Sequence, residues 1–143
     1  MKLAVGSDHA GLRLKNAVVD HLRKRGHDIT DVGAIDEASV DYPDYAHRVA
    51  EVVAAGAAER GILVCGTGHG MAITANKHHG IRAACVLDTF SAKAVVQHND
   101  ANVLCLGQRT TGDGLAAELV DAWLGATFEG GRHARRVGKI ERP

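Results

Sequence analysis

The sequence predicts an α/β protein: a three-layer α/β/α sandwich in which a five-stranded parallel, Rossmann-like sheet carries helices on both faces. Three observations lead there. Short apolar runs alternate along the 143 residues with longer segments whose apolar residues recur every three or four positions. The runs are nearly continuous rather than alternating with polar residues, as in strands buried on both faces. One Trp, two Tyr and two Phe leave the interior to Ala, Val, Leu and Gly, a composition suited to close packing of helix on sheet.

Each element has its own signal. Leu3-Ala4-Val5-Gly6 is an apolar run ended by the polar Ser7-Asp8-His9. Leu12, Leu14, Val18, Val19 and Leu22 follow at helical spacing, with Gly26 as the stop. Asp28 to Val32 reads as a weaker strand and Gly33 to Asp41 as a polar loop. Tyr42-Pro43 opens a second helix through Tyr45, Ala46, Val49, Val52 and Val53, since Pro is tolerated in a first helical turn. Gly61 to Cys65 is the third strand, and a helix from about Met71 to Lys77 follows three glycines. Ile81 to Leu87 is a fourth strand, Thr89 to His98 a helix, Ala101 to Leu106 the fifth strand, and Asp113 to Leu124 a helix. From Glu129 the tail is basic and polar, with room for a last short helix lying across a neighbour. Consecutive strands joined through helices run parallel.

The length allows one domain, residues 1–143. Lys plus Arg equals Asp plus Glu at 17 each, so no overall field recruits nucleic acid or an anionic membrane. No apolar run approaches the roughly 18 residues of a membrane span, and the N-terminus lacks the apolar stretch of a signal peptide. A cytoplasmic protein is expected. Cys65, Cys85 and Cys105 are odd in number and each lies in an apolar run, which favours reduced thiols over a disulfide framework.

The chemistry concentrates in G-I-L-V-C-G-T-G-H-G-M-A-I-T-A-N, residues 61 to 76. A buried strand there delivers Cys65 to a turn containing Gly66, Gly68 and Gly70. Such a turn opening a helix aims backbone N–H groups at one point, which suits a phosphate or a developing oxyanion. Because ligands of open parallel sheets bind at the carboxyl ends of the strands, one rim should carry Asp8, His9, Cys65, Thr67, Asp88 and Arg109. Other glycine-loop readings fit poorly. Gly6 and Gly11 have the spacing of a Walker loop, but Leu12 stands where its lysine must be. The third glycine of the dinucleotide fingerprint is missing at Met71, and a cysteine-phosphatase loop would need arginine at that same position. Nine histidines show no paired ligand spacing, so neither a metal nor a cofactor is expected.

Eight motifs, in order and at constant spacing, carry a resemblance. They are G-S-D-H-A-G at 6 to 11, D-Y-P-D-Y-A at 41 to 46, C-G-T-G-H-G-M at 65 to 71, A-N-K at 75 to 77, G-I-R-A at 80 to 83, Q-H-N-D-A-N-V-L at 97 to 104, G-Q-R at 107 to 109, and D-A-W-L-G-A-T-F-E-G-G-R-H at 121 to 133. Nearly the whole chain resembles ribose-5-phosphate isomerase type B, in the family that also holds allose and galactose 6-phosphate isomerases.

The resemblance implies aldose–ketose isomerisation of ribose 5-phosphate and ribulose 5-phosphate through an enediolate. By it, Cys65 shuttles the proton, while Thr67 and the N–H groups of Gly66, Gly68, His69 and Gly70 hold the enediolate oxygen. His98 opens the sugar ring. Asp8 and Asn99 contact sugar hydroxyls. Arg132 and Arg136 grip the phosphate with Arg109 and His9 in support; four residues apart, the first two share a helix face. It further implies a homodimer with shared sites, the tail at about 129–143 reaching a partner subunit. A six-carbon sugar phosphate, or a non-catalytic sensor on the same fold, stays open. His69 stands where many relatives carry an apolar residue, and Met71 where relatives lacking the thiol carry a carboxylate; for His69 the backbone N–H is the expected contributor.

Overall fold

The computed structural model describes residues 1–142; Pro143, the end of the basic tail, lies outside them. The chain order is β1 (Lys2–Ser7), a 3-10 turn (His9–Gly11), α1 (Leu12–Lys24), β2 (Asp28–Asp31), α2 (Tyr42–Ala54), β3 (Arg60–Cys65), α3 (His69–Ala75), β4 (Ala83–Cys85), α4 (Thr89–Asn99), β5 (Val103–Gly107), α5 (Asp113–Leu124) and α6 (Arg132–Val137). All neighbouring strands pair in parallel, in the order β2-β1-β3-β5-β4.

Strand residues alternate between two cores because successive side chains point to opposite faces. Leu3, Val5, Ile62, Val64, Leu104 and Leu106 pack under α1, α4 and α5 together with Trp123. Ala4, Leu63, Cys65, Val103 and Cys105 face the other way, under α2 and α3. The result is the three-layer sandwich that the continuous apolar runs predict. Each large aliphatic side chain so buried contributes about 1.5–3 kcal/mol from removal of apolar surface from water.

The strand order sets the location of the site. From β1 the chain moves outward to β2 and then returns to place β3 on the other side of β1. The crevice at the carboxyl ends of β1 and β3 is therefore the topological switch point, where parallel sheets bind ligands.

Three elements differ from expectation. β4 is three residues long, not seven, because Ile81 and Arg82 are drawn into a turn: Ile81 N–H donates to His78 O (3.2 Å) and Arg82 N–H to Asn102 Oδ1 (2.8 Å). α3 begins at His69, two residues early, since the left-handed Gly68 (φ 83°) already turns the chain into the helix. The tail folds back on its own chain despite its polarity. Its only deeply buried residue among those described, His133, stacks on His98 with ring centroids 4.5 Å apart, and Glu129 N–H donates to Gln97 O (3.0 Å).

Candidate active site

The switch-point crevice is a cavity of about 440 Å³ lined by Asp8, His9, Ala10, Tyr42, Cys65, Gly66, Thr67, Gly70 and Arg109. Its floor is the end of β3. Cys65 is only 5% exposed, and its Sγ accepts a hydrogen bond from Gly68 N–H at 3.1 Å. That bond requires the turn: at φ 83° Gly68 occupies a conformation that side-chain-bearing residues rarely adopt. A Cβ there would stand 2.8 Å from Cys85 Sγ and 3.0 Å from the Leu106 carbonyl carbon. Gly107 is equally confined, because a Cβ on it would lie 2.6 Å from Thr67 Cα. The Gly66 to Gly70 loop thus rests directly on β5, with the first N–H groups of α3 free of intrahelical partners as at any helix start.

Of the three thiols, only Cys65 lines the cavity. Burial pushes the Cys105 thiol well above the ordinary cysteine value, and burial with the nearby Cys65 raises Cys85. Both stay protonated at neutral pH. Cys85 is half-buried rather than a plain core residue, and its Sγ donates to Thr67 O at 3.3 Å, fastening the loop from below.

The wall opposite is built by the end of β1. Asp8 is 6% exposed; its Oδ1 accepts from Gly11 N–H at 3.0 Å and caps the 3-10 turn, leaving its second oxygen for the cavity. His9 Nδ1 accepts from Val40 N–H at 3.1 Å, which leaves the proton of the neutral ring on Nε2. The loop carrying Val40 is held in turn by the buried Lys15, whose Nζ donates to Asp31 Oδ2 (2.7 Å) and Ala34 O (3.2 Å). Arg109 closes the outer edge: its Cδ, Nε and Cζ lie 3.6 Å from the position of a Cβ on Gly66. Arg109 and Gln108 are positioned by backbone bonds to Gly66 O (3.0 Å) and Cys65 O (2.9 Å).

The residues singled out in the sequence fall into two groups. Asp8, His9, Cys65, Gly66, Thr67, Gly70 and Arg109 meet in the cavity, with Gly68 beneath it. The His69 side chain is exposed and does not line it. Asp88, expected on this rim, instead caps α4 by accepting from Ser91 N–H and Oγ, each at 2.7 Å, because its position immediately precedes that helix.

The second group lies elsewhere. α4 starts beside the carboxyl end of β4 and runs back against the strands; over the nine steps from Thr89 to His98 that is about 14 Å at 1.5 Å per residue. His98 and Asn99 therefore sit at the amino-terminal edge of the sheet, the edge opposite Cys65. α6 packs against α4 there, with Arg132 and Arg136 exposed on it. Tyr42, in the D-Y-P-D-Y-A motif, also lines the cavity, a role that its place at the start of a helix does not signal in the sequence. Its ring lies over Gly70, where a Cβ would stand 2.8 Å from Tyr42 Cε2.

A nearly buried thiol at the floor of a crevice, one N–H donor on its sulfur and a loop of further donors beside it are suited to moving a proton on and off carbon. The pattern of the ribose/galactose isomerase family matches residues 3–140. The chain belongs to that family. The ribose-5-phosphate isomerase B of Escherichia coli is 50% identical over 139 residues, covering 97% of this chain and 93% of its own. The structure of ribose-5-phosphate isomerase B from Clostridium thermocellum superposes with a TM-score of 0.97 at 52% identity, over 98% of this chain and 95% of that one. Ribose-5-phosphate isomerase B from Mycoplasma genitalium, solved with bound ribulose 5-phosphate, gives 0.93 at 42% identity over 97% and 93%. No helix among the described residues is long and apolar enough to cross a membrane.

Proposed function

We propose that this chain interconverts ribose 5-phosphate and ribulose 5-phosphate, with Cys65 as the proton-transfer base. The observation that carries the proposal is the placement of Cys65 Sγ at the switch-point crevice, bonded to Gly68 N–H and surrounded by Asp8, His9, Thr67 and Arg109. The Cys65 thiolate takes the proton from C2 of the open-chain aldose, and the electron pair moves toward the C1 oxygen to give the enediolate. Thr67 Oγ1 and the loop N–H groups donate to that oxygen, an oxyanion-hole role worth about 3–4 kcal/mol for a well-placed donor. The Cys65 S–H then returns the proton to C1 while the proton of the C2 hydroxyl passes to the C1 oxygen, giving the ketose with no net redox change. No step calls for a cofactor. The His69 side chain, exposed, has no part in this scheme; its backbone N–H belongs to the donor loop.

The remaining roles need a second copy. With His98, Asn99, Arg132 and Arg136 at the far edge of their own sheet, ring opening and phosphate binding at one crevice are supplied by a partner chain's His98, Asn99, Arg132 and Arg136, with this chain's Arg109 and His9 in support. Homodimers of closed two-fold symmetry make two such sites at once. The three free thiols favour a reducing cytoplasm.

The test is conversion of ribose 5-phosphate by the wild-type chain and by Cys65→Ala, beside a panel of four- to six-carbon aldose phosphates ranked by kcat/KM. Loss of general-base catalysis should lower kcat of the variant by about 10²–10⁴-fold. A variant as active as wild type would remove Cys65 from the mechanism, and preference for a six-carbon substrate would replace the pentose assignment.

A further inference from the structure

Away from the crevice, His98 at the end of α4, Glu129 before α6 and His133 within α6 converge. One ligand atom from each lies within 4.8 Å of the other two, and no other His, Cys, Asp or Glu trio among the described residues does so. Glu129 Oε2 stands 3.6 Å from His133 Nε2 and 4.0 Å from His98 Nε2. Tetrahedral coordination with Zn–N bonds of about 2.0–2.1 Å sets ligand atoms about 3.4 Å apart, so the carboxylate is already near its place. His133 supplies the independent observation: it is 8% exposed, and its Nε2 is buried without a hydrogen-bond partner. Such an orphaned nitrogen facing a carboxylate is an unsatisfied polar atom that a ligand could satisfy. The chain is shaped to present it, since Glu129 is tied to Gln97 O, and the positive-φ Gly130 and Gly131 fold it back over His133.

We propose that His98, Glu129 and His133 form a binding site for a first-row divalent cation of the zinc type, with water in the fourth position. His98 and Glu129 are both half-exposed, which gives that water access. The two imidazole rings are nearly parallel at 12°, so one must turn to bring both lone pairs onto the metal; the half-exposed His98 has the room. Arg132 and Arg136 on the same short helix oppose the cation and hold its affinity down. The signal in the sequence was Glu129 four residues before His133, a mixed pair that a search for histidine pairs passes over.

A bound cation would occupy His98, the proposed ring-opening group, and so inhibit isomerisation. That consequence rests on the function proposed above, whereas binding does not, so calorimetry with Zn²⁺ separates the two. One Zn²⁺ per chain is expected for the wild-type protein, and at least tenfold weaker binding for Glu129→Gln and for His133→Gln. Glu129 is half-exposed, so its variant should fold even if the buried His133→Gln does not; circular dichroism checks both. The Co²⁺-substituted protein should show d–d absorption without a thiolate charge-transfer band. Unchanged affinity in Glu129→Gln would overturn the proposal. So would a thiolate band lost in Cys65→Ser, or binding lost only in His47→Ala, which breaks the surface pair of His47 Nδ1 with His78 Nε2 (2.7 Å).

Discussion

Gly68→Ala should damage the protein through two separable effects. At φ 83° a residue bearing Cβ sits in the left-handed region, at a cost of about 1–2 kcal/mol. The new methyl would also meet Cys85 Sγ at 2.8 Å and the Leu106 carbonyl carbon at 3.0 Å. The sulfur can yield, but the β5 backbone cannot, and overpacking of this kind costs about 1–3 kcal/mol. Together the terms come to about 2–5 kcal/mol, a fall in Tm of roughly 6–20 °C at about 3–4 °C per kcal/mol for a domain of this size. Thermal unfolding followed by circular dichroism measures it. Adding Cys85→Ala removes the sulfur contact together with the Cys85 Sγ bond to Thr67 O, a loss the single Cys85→Ala variant shares, so the double variant should recover about 1 kcal/mol relative to additivity, leaving the backbone terms in place. The Cys65 Sγ bond to Gly68 N–H is lost with the turn, so kcat should fall alongside. A Gly68→Ala protein melting within 2 °C of wild type at full activity would refute the view that the left-handed glycine turn is required to serve Cys65.

Asp88→Ala should lower Tm, because α4 loses its N-cap. Hydrogen bonds from Ser91 N–H, then Ser91 Oγ, hold the Asp88 carboxyl below its ordinary 3.8. A depressed acid stabilises the fold above its unfolded pKa, so the gap between wild type and variant should be full at neutral pH and close as pH falls below about 3.8 through the lower folded value. For His133 the folded value also lies below the ordinary 6.5, with burial the leading cause. The unfolded chain binds the extra proton first, so stability from this ring is complete above 6.5 and declines as pH falls through it; urea titrations from pH 7.5 to 5 should show a drop that His133→Gln flattens.

The layers were legible in the sequence because each strand is a continuous apolar run and each helix has its own period and stop. α5 occupies Asp113 to Leu124, as its spacing indicates. β4 was not, because Ile81, Val86 and Leu87 look like strand continuations while the side chain of Asn102, distant in sequence, takes the Arg82 N–H. The crevice could be foreseen where the rule of strand ends applies, at Asp8, His9 and Cys65. Asp88 obeyed the same rule in position but was claimed by the helix that follows it. Placing His98 on the far edge needed only the direction of α4, whereas its meeting with Glu129 and His133 depends on how the tail folds back, which no local pattern records.

Subunit complementation tests most directly the claim that one crevice draws its base from one chain and its ring-opening group from another. Cys65→Ala and His98→Asn chains are each purified, shown to be inactive on ribose 5-phosphate, then mixed in equal amounts under conditions that exchange subunits. Half of the resulting dimers should be mixed, each with one intact site of two, restoring about a quarter of wild-type activity. A mixture that stays inactive after demonstrated exchange would contradict a site shared between chains.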